Sequence, residues 1–427
     1  MIIACTWTIQ HLNVPEQRNG RDSGRVGGLK WKLKGFLQSI KWMVITMLAP
    51  EFIMGMACYD LLWGMKCDRK LRRFASQDQV PWTLAHTHYA NMGGFAIQSG
   101  VQEDVRAPYI PSKKVNTEKA DVSGTQVIDN DKVLQESHPT AVSENGGSYP
   151  YHNPYHLTAL GICKLREDGT LQKLPSISEE ELSDKSKSNS FIKAIAIFQI
   201  IWATMQIIVR TVRKIAISQL ELAVIAFAAC AIIIYVLYWS KPKDISTVTA
   251  IIQYQGQIPK DILQGIENCT KFHSFGTFFF AIMTSKNKAK PRHAGLRIEN
   301  DTVERSKDEN YESTLPLAMI VMAFGATLFG GIHIGAWNFE FPSRTELIFW
   351  RCASVFSAAY GLTLIMFGIS TSTAHVPVKI EGIFISMWTF LYVMARLFLL
   401  VEIFRTLYFL PPDAYISTWT TNIPHVI

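Results

Sequence analysis

The sequence predicts an all-α, polytopic transmembrane bundle of about six helices joined by long polar, partly disordered loops. Three observations predict it. Apolar residues are gathered into runs of roughly twenty, the length that carries a helix across a hydrocarbon layer of about 30 Å. Trp, Lys and Arg stand at the ends of those runs, where the headgroup layer favours them. The 48% hydrophobic content of the 427 residues is ordinary only because two polar stretches, Leu71 to Ser190 and Lys241 to Ser313, dilute the runs.

Met1 to Ile9 is apolar but too short to cross a bilayer, and it opens a segment, 1–41, that is otherwise basic. Arg18, Arg21, Arg25, Lys30, Lys32, Lys34 and Lys41 face only Asp22 in their interval, which marks a cytosolic segment. The first span is expected over 42–63, between Trp42 and Trp63, with a kink where Pro50 and Glu51 interrupt it. A long polar loop, 64–190, follows. Residues 101–149 in it are rich in Ser, Asn, Asp, Glu and Lys and lack the apolar surface to order themselves. Order is expected to resume at SISEEEL, where Ser178 and Glu181 have capping-box spacing.

A helical hairpin is predicted over 191–239, turning at Arg210, Arg213 and Lys214. The second polar loop, 240–314, holds an apolar patch at 272–283 that is too short to cross and suits an interfacial segment. Three spans occupy 315–410, ending at Pro411 and Pro412, and 411–427 forms a tail. With six crossings, the basic turn at Arg210 places the N-terminus, that turn and the C-terminus in the cytosol. Asn268 and Asn300, both in N-x-T sequons, then fall on the opposite face as glycosylation candidates.

The formal charge of +7 is spread in short clusters beside apolar runs, so no surface follows a phosphate backbone and no nucleic-acid partner is expected. The seven cysteines form no CxxC. His86 with His88 and His152 with His156 lack a backbone that would converge them on a metal, because Pro154 prevents the helix that aligns residues four apart. No metal and no cofactor is expected. Walker, GxSxG, HExxH and dinucleotide fingerprints are missing, which points away from an enzyme.

Arg396 lies deeper in an apolar run than any other charge, where an Arg costs about 2.5–3.5 kcal/mol, so it is expected to face the bundle and find an acidic partner. Glu51, Glu221 and Glu381 are the candidates, and His333 completes the set of candidate intramembrane polar groups. Ala323, Thr327, Gly331 and Gly335 recur four residues apart and are read as a helix-packing ridge.

Seven segments taken in order carry a resemblance: CTWTIQHLNVP (Cys5 to Pro15), KWMVITMLAPE (Lys41 to Glu51), WTLAHTHYANMGGF (Trp82 to Phe95), DKSKSNSF (Asp184 to Phe191), WSKPKD (Trp239 to Asp244), GGIHIGAWNFEFPSRTELIFWR (Gly330 to Arg351) and YFLPPDAYISTWTTNIPH (Tyr408 to His425). The chain resembles a large family of uncharacterised multi-pass membrane proteins of filamentous fungi. It departs from the family pattern at Asn189 and Ser240. Members of that family usually begin further upstream, so Met1 to Ile9 resembles the end of a span or signal. The resemblance implies a multi-pass protein of the plasma membrane or an endomembrane and brings no activity with it. The expected partners are the lipid bilayer and either partner helices or a second copy. The expected function is a non-enzymatic sensor, scaffold or transport-related component, with a membrane-embedded enzyme acting on a lipid or isoprenoid as the rival.

Overall fold

The computed structural model describes residues 2–17, 24–99, 154–186, 190–255, 258–269, 271–274, 297–305, 314–374 and 377–410. The tract expected to be disordered, the greater part of the 272–283 patch and the C-terminal tail lie outside them. The described residues are mostly helical.

Long helices form one layer. After a short N-terminal helix, α1 (Ile2–Thr8), these are α2 (Arg25–Leu48), α3 (Pro50–Asp78), α7 (Ser190–Val212), α8 (Gln219–Leu237), α10 (Thr314–Ile334), α11 (Arg344–Ala374) and α12 (Val378–Arg405). Four of them, α8, α10, α11 and α12, are long and apolar enough to cross a membrane, and the α2/α3 pair adds a fifth if it is counted as one broken span. Within α7 the apolar described stretch is the shorter Phe198–Val212. Contact between α10 and α11 is close because glycine backs onto backbone. A Cβ on Gly330 would stand 2.3 Å from Ala358 N, and one on Gly361 would stand 2.5 Å from Ala323 Cα. Only glycine permits that approach.

A polar cap forms the second layer. It contains α4 (Leu84–Asn91), α5 (Ala159–Glu167), α6 (Glu179–Lys185), α9 (Lys260–Cys269) and five short strands. Strand β1 (Phe95–Ser99) is central to a three-stranded sheet. It pairs antiparallel with β2 (Tyr155–Leu157) and parallel with β3 (Thr249–Tyr254). Strands β4 (Lys271–Ser274) and β5 (Thr302–Arg305) pair antiparallel, so the start of the predicted apolar patch is a strand edge in this cap. Phe95, Ala96, Ile97, Tyr155 and Leu157 are fully buried, which gives the cap a core of its own. Ser178 Oγ accepts the Glu181 amide at 3.0 Å and starts α6.

The hydrogen bonds fix which helix ends share a face. At the cap end, Tyr59 Oη of α3 donates to Glu304 O, Lys241 beyond α8 pairs with Asp60, and Lys185 of α6 reaches Thr249 of β3. At the opposite end, Gln219 at the start of α8 donates to Glu340 O beyond α10, Arg405 pairs with Glu346, and Arg210 pairs with Glu221.

The region expected as a first crossing at 42–63 is built differently. Helix α2 stops at Leu48, and α3 leaves at 108° to it. Gln38, near the middle of α2, accepts from Arg297 of the cap at 2.6 Å, and Asp78 at the end of α3 is held by Arg166 at 2.6 Å. The N-terminal residues join the same end, where the Asn13 amide donates to Asn300 Oδ1 at 2.6 Å. The helix breaks after Leu48 because Pro50 cannot donate to the preceding turn and occupies the first position of a new helix. The N-terminal segment at Asn13 and the Arg210 turn, expected on one face, lie at opposite ends of the bundle.

Candidate functional site

The break between α2 and α3 leaves the last carbonyls of α2 without intrahelical donors. Arg396 of α12 supplies one. Its Nε donates to Leu48 O at 2.6 Å, and its Nη2 lies 3.4 Å from Glu51 Oε2 in the first turn of α3. Tyr392, one turn earlier on α12, donates its hydroxyl to the other Glu51 oxygen. The guanidinium also stands 3.6 Å from the centroid of the Phe329 ring on α10, a cation–π contact. All four side chains are buried. Gly325 lets α10 close over the site, since a Cβ there would meet Met54 Sδ at 2.8 Å and Glu51 Cβ at 2.9 Å.

His333 is tied to this cluster through Phe329, on which it stacks at 4.4 Å between centroids. Its Nδ1 bonds Phe329 O at 2.8 Å, and its Nε2 has no partner among the described residues. Trp350 of α11 closes the stack by donating to His333 O at 3.1 Å. Glu221 and Glu381 are elsewhere. Glu221 makes the capping box with Ser218 and pairs with Arg210 at 3.0 Å. Glu381 is buried in the first turn of α12, about 22 Å along the helix from Arg396.

Of the predicted ridge, Ala323 is buried against Gly361 and Thr327 Oγ1 donates to Ala358 O at 3.0 Å. Gly331 and Gly335 are exposed, and nothing lies within 4 Å of a Cβ built on Gly331. Asn268 is exposed on α9, whereas Asn300 is buried with its oxygen accepting from the Asn13 amide. The histidines of the Trp82 to Phe95 segment serve separate ends: His86 caps α4 through Thr83, and His88 packs against Gly64 of α3. His156 bonds Gly93 O at 2.8 Å, and His152 lies outside the described residues.

A second polar cluster lies where α3 enters the cap. Glu304 of β5 is buried, with Thr158 Oγ1 donating to one carboxylate oxygen at 2.5 Å and Trp63 Nε1 of α3 donating to the other at 2.8 Å. Burial pushes its carboxyl up to about 7, against the lowering effect of the two hydrogen bonds. Tyr59 accepts the Glu304 amide and donates to the Glu304 carbonyl, both at 3.0 Å. A cavity of about 30 Å³ opens beside the carboxylate, lined also by Asn91, His88 and the Lys241–Asp60 pair. That is room for a water or so. Burial, with Lys241 adding to it, pushes His88 down to about 3, so this imidazole is neutral. Nothing in the sequence singles out Glu304, one acidic residue among several in NDTVERSKDEN. The available signal was the TVE extension beside it, which forms β5.

Four helices, or five with the bent pair counted as one, are long and apolar enough to cross a membrane, which is compatible with a membrane protein. Residues 145–278 match a family of unknown function (DUF8562), a stretch that includes β2, the α7/α8 hairpin and β3. No curated protein and no solved structure matches the chain.

Proposed function

We propose that the protein is a non-enzymatic, multi-pass component of the plasma membrane or an endomembrane, of the sensor, scaffold or transport-related kind. In this reading α7, α8, α10, α11 and α12 cross the bilayer, and α2/α3 is a re-entrant pair that meets the cap through Gln38 of α2 and the outer end of α3. Its partners are the surrounding lipid and either partner helices or a second copy. The fungal multi-pass family resembled by the sequence fits this class.

One observation carries the reading. The deepest charge, Arg396, is directed at the protein's own groups: a helix-end carbonyl, a carboxylate and an aromatic face. These contacts brace a broken helix, and α3 then runs from that brace to Glu304 in the cap. Broken helices braced by ionic groups are a feature of membrane proteins that bind or respond at mid-membrane depth.

The rival, a membrane-embedded enzyme on a lipid or isoprenoid, draws on a different observation. Ser354 Oγ and Ser357 Oγ of α11 and His333 Nε2 are buried without partners among the described residues, close in sequence or packing to Trp350. Buried unpartnered polar atoms are a place where a ligand group can bind. Reconstituting the full chain with a total lipid extract and following lipid composition by mass spectrometry separates the two. The expected result is no conversion. A lipid or isoprenoid species converted at a rate that falls in Arg396→Lys would overturn the non-enzymatic reading.

A further inference from the structure

The cap carries a buried acid that the proposed function does not use. Strands β4 and β5 form a two-stranded ribbon of their own, separate from the sheet centred on β1. Glu304 of β5 ties this ribbon to two helices. Its amide and carbonyl both bond Tyr59 Oη of α3, while its carboxyl oxygens take Trp63 Nε1 of α3 and the hydroxyl of Thr158, the N-cap residue of α5. Just before the strand, Asn300 accepts from the Asn13 amide, so the N-terminal segment is fastened to the same ribbon.

Either protonation state can keep these bonds. The acid donates to Thr158 Oγ1 and accepts from Trp63, and the carboxylate accepts from both. Charge separates the two states, because a buried carboxylate needs a cation or water that a buried acid does not. Among the described residues the surrounding groups supply no free counter-charge. Lys241 lines the adjoining cavity but is paired with Asp60 at 2.7 Å, and Lys66 stands over the Trp63 ring at 5.6 Å. Asp301, on the ribbon itself, is bonded by Ser274. His88 of α4 is neutral, and Cys67 of α3 and Cys163 of α5 would repel the carboxylate if ionised.

Water supplies little in their place. The cavity beside the carboxyl, about 30 Å³, has room for a water or so. His88 lines it, and its Nε2, buried without a partner among the described residues, is a polar contact for that water. One water compensates a carboxylate far less than bulk solvent does. An ionised Glu304 is therefore better placed in solvent than against α3.

We propose that Glu304 is a proton-operated latch: with its proton it holds the β4/β5 ribbon on α3 and α5, and without it the ribbon lifts and opens the cap junction. Burial sets the exchange at about 7, inside the span of roughly pH 5–8 in which biological proton switches work. The closed state weakens about tenfold per pH unit from about 4.5 to about 7, and no further above that. The ligand is the proton, and the response is the shape of the cap. The latch lies in the cap and the arm of α3 that enters it, so it holds whether or not the apolar helices cross a bilayer.

The test uses three of the chain's own thiols. Cys67 and Cys163 are buried at the junction, and Cys230 of α8 is buried in the bundle. The full chain in detergent micelles is labelled briefly with a maleimide, and each cysteine peptide is quantified by mass spectrometry. Rates are taken relative to the unfolded chain at the same pH, which removes the thiol's own pH dependence. Protection of Cys67 and Cys163 is expected to fall about tenfold between about pH 6 and pH 8, while Cys230 stays protected. In E304Q the fall should vanish and the junction stay closed. Protection that does not change with pH, or that changes equally in E304Q, overturns the latch. Cys230 losing protection in step with the other two also overturns it, because the loosening is then global. Should E304Q misfold and label at Cys230 throughout, W63F decides: it removes a donor to the carboxylate, so the fall should continue above about pH 7. A fall that ends at the same pH as in the natural chain overturns the latch.

Discussion

Two buried carboxylates are held along α3, and they are held in opposite ways. Glu51 at the helix start faces the guanidinium of Arg396, whereas Glu304 at the cap end faces two neutral donors, Trp63 and Thr158. A cation gives its buried partner a counter-charge, and removing either member strands the other. Neutral donors leave burial uncompensated, so the carboxyl keeps a proton toward neutrality. The first site is therefore a brace and the second is a group that titrates near pH 7, joined by one helix.

The largest effect should come from breaking the brace. Arg396→Met leaves Glu51 buried without a counter-charge and is expected to cost about 3–5 kcal/mol. Unfolding in detergent micelles measures this, and the Arg396→Met/Glu51→Leu double variant should recover most of the loss. If the single variant is neutral, the pair does not hold the helix break.

Glu304 should give a pH-dependent effect. Its folded pKa of about 7 lies above the ordinary 4.5, so the folded state holds the proton more tightly. Stability is then full below about pH 4.5 and falls as pH rises to about 7, by about 3 kcal/mol in all. Glu304→Gln keeps a donor for Thr158 and an acceptor for Trp63, as the protonated acid does, and should flatten the slope and raise stability above pH 7. Unfolding of both forms between pH 4 and pH 8, on the order of the titration range, reads the difference. An unchanged slope would show that Glu304 is not the titrating group.

Helix packing sharpens the contrast with a smaller effect. Gly330→Ala places a methyl onto the Ala358 backbone and should cost about 1–3 kcal/mol. Gly331→Ala, next to it, meets open space and should be neutral or stabilising by up to about 1 kcal/mol. Thermal unfolding of the two variants side by side decides the matter, and equal effects would contradict the packing described.

The long apolar runs were legible in sequence because length and hydropathy alone define them. The need of Arg396 for a partner was legible for a related reason, since a charge inside such a run must be paired, but the sequence left Glu51, Glu221 and Glu381 equally open to it. The path of 42–63 was not. Pro50 marks a break, but the angle beyond it is set by contacts of α3 with α10 and the cap, which no local pattern encodes. The cap escaped because its strands are three to six residues long and β1 pairs with β3 across some 150 intervening positions. Along the expected packing ridge, steps of four residues drift by about 40° each on a 3.6-residue helix. By Gly331 the line has therefore turned from the face that meets α11, on which Ala323 and Gly330, seven apart, remain, and Gly335 approaches Leu222 of α8.

The most direct test of the account is the sidedness of the two chain ends. Epitope tags at the N-terminus and the C-terminus of the full chain, probed with protease in sealed and permeabilised vesicles, measure it. A re-entrant α2/α3 followed by five crossings puts the tags on opposite faces. Both tags on one face would mean that α2/α3 crosses, which contradicts the returning helix pair and the brace built on it.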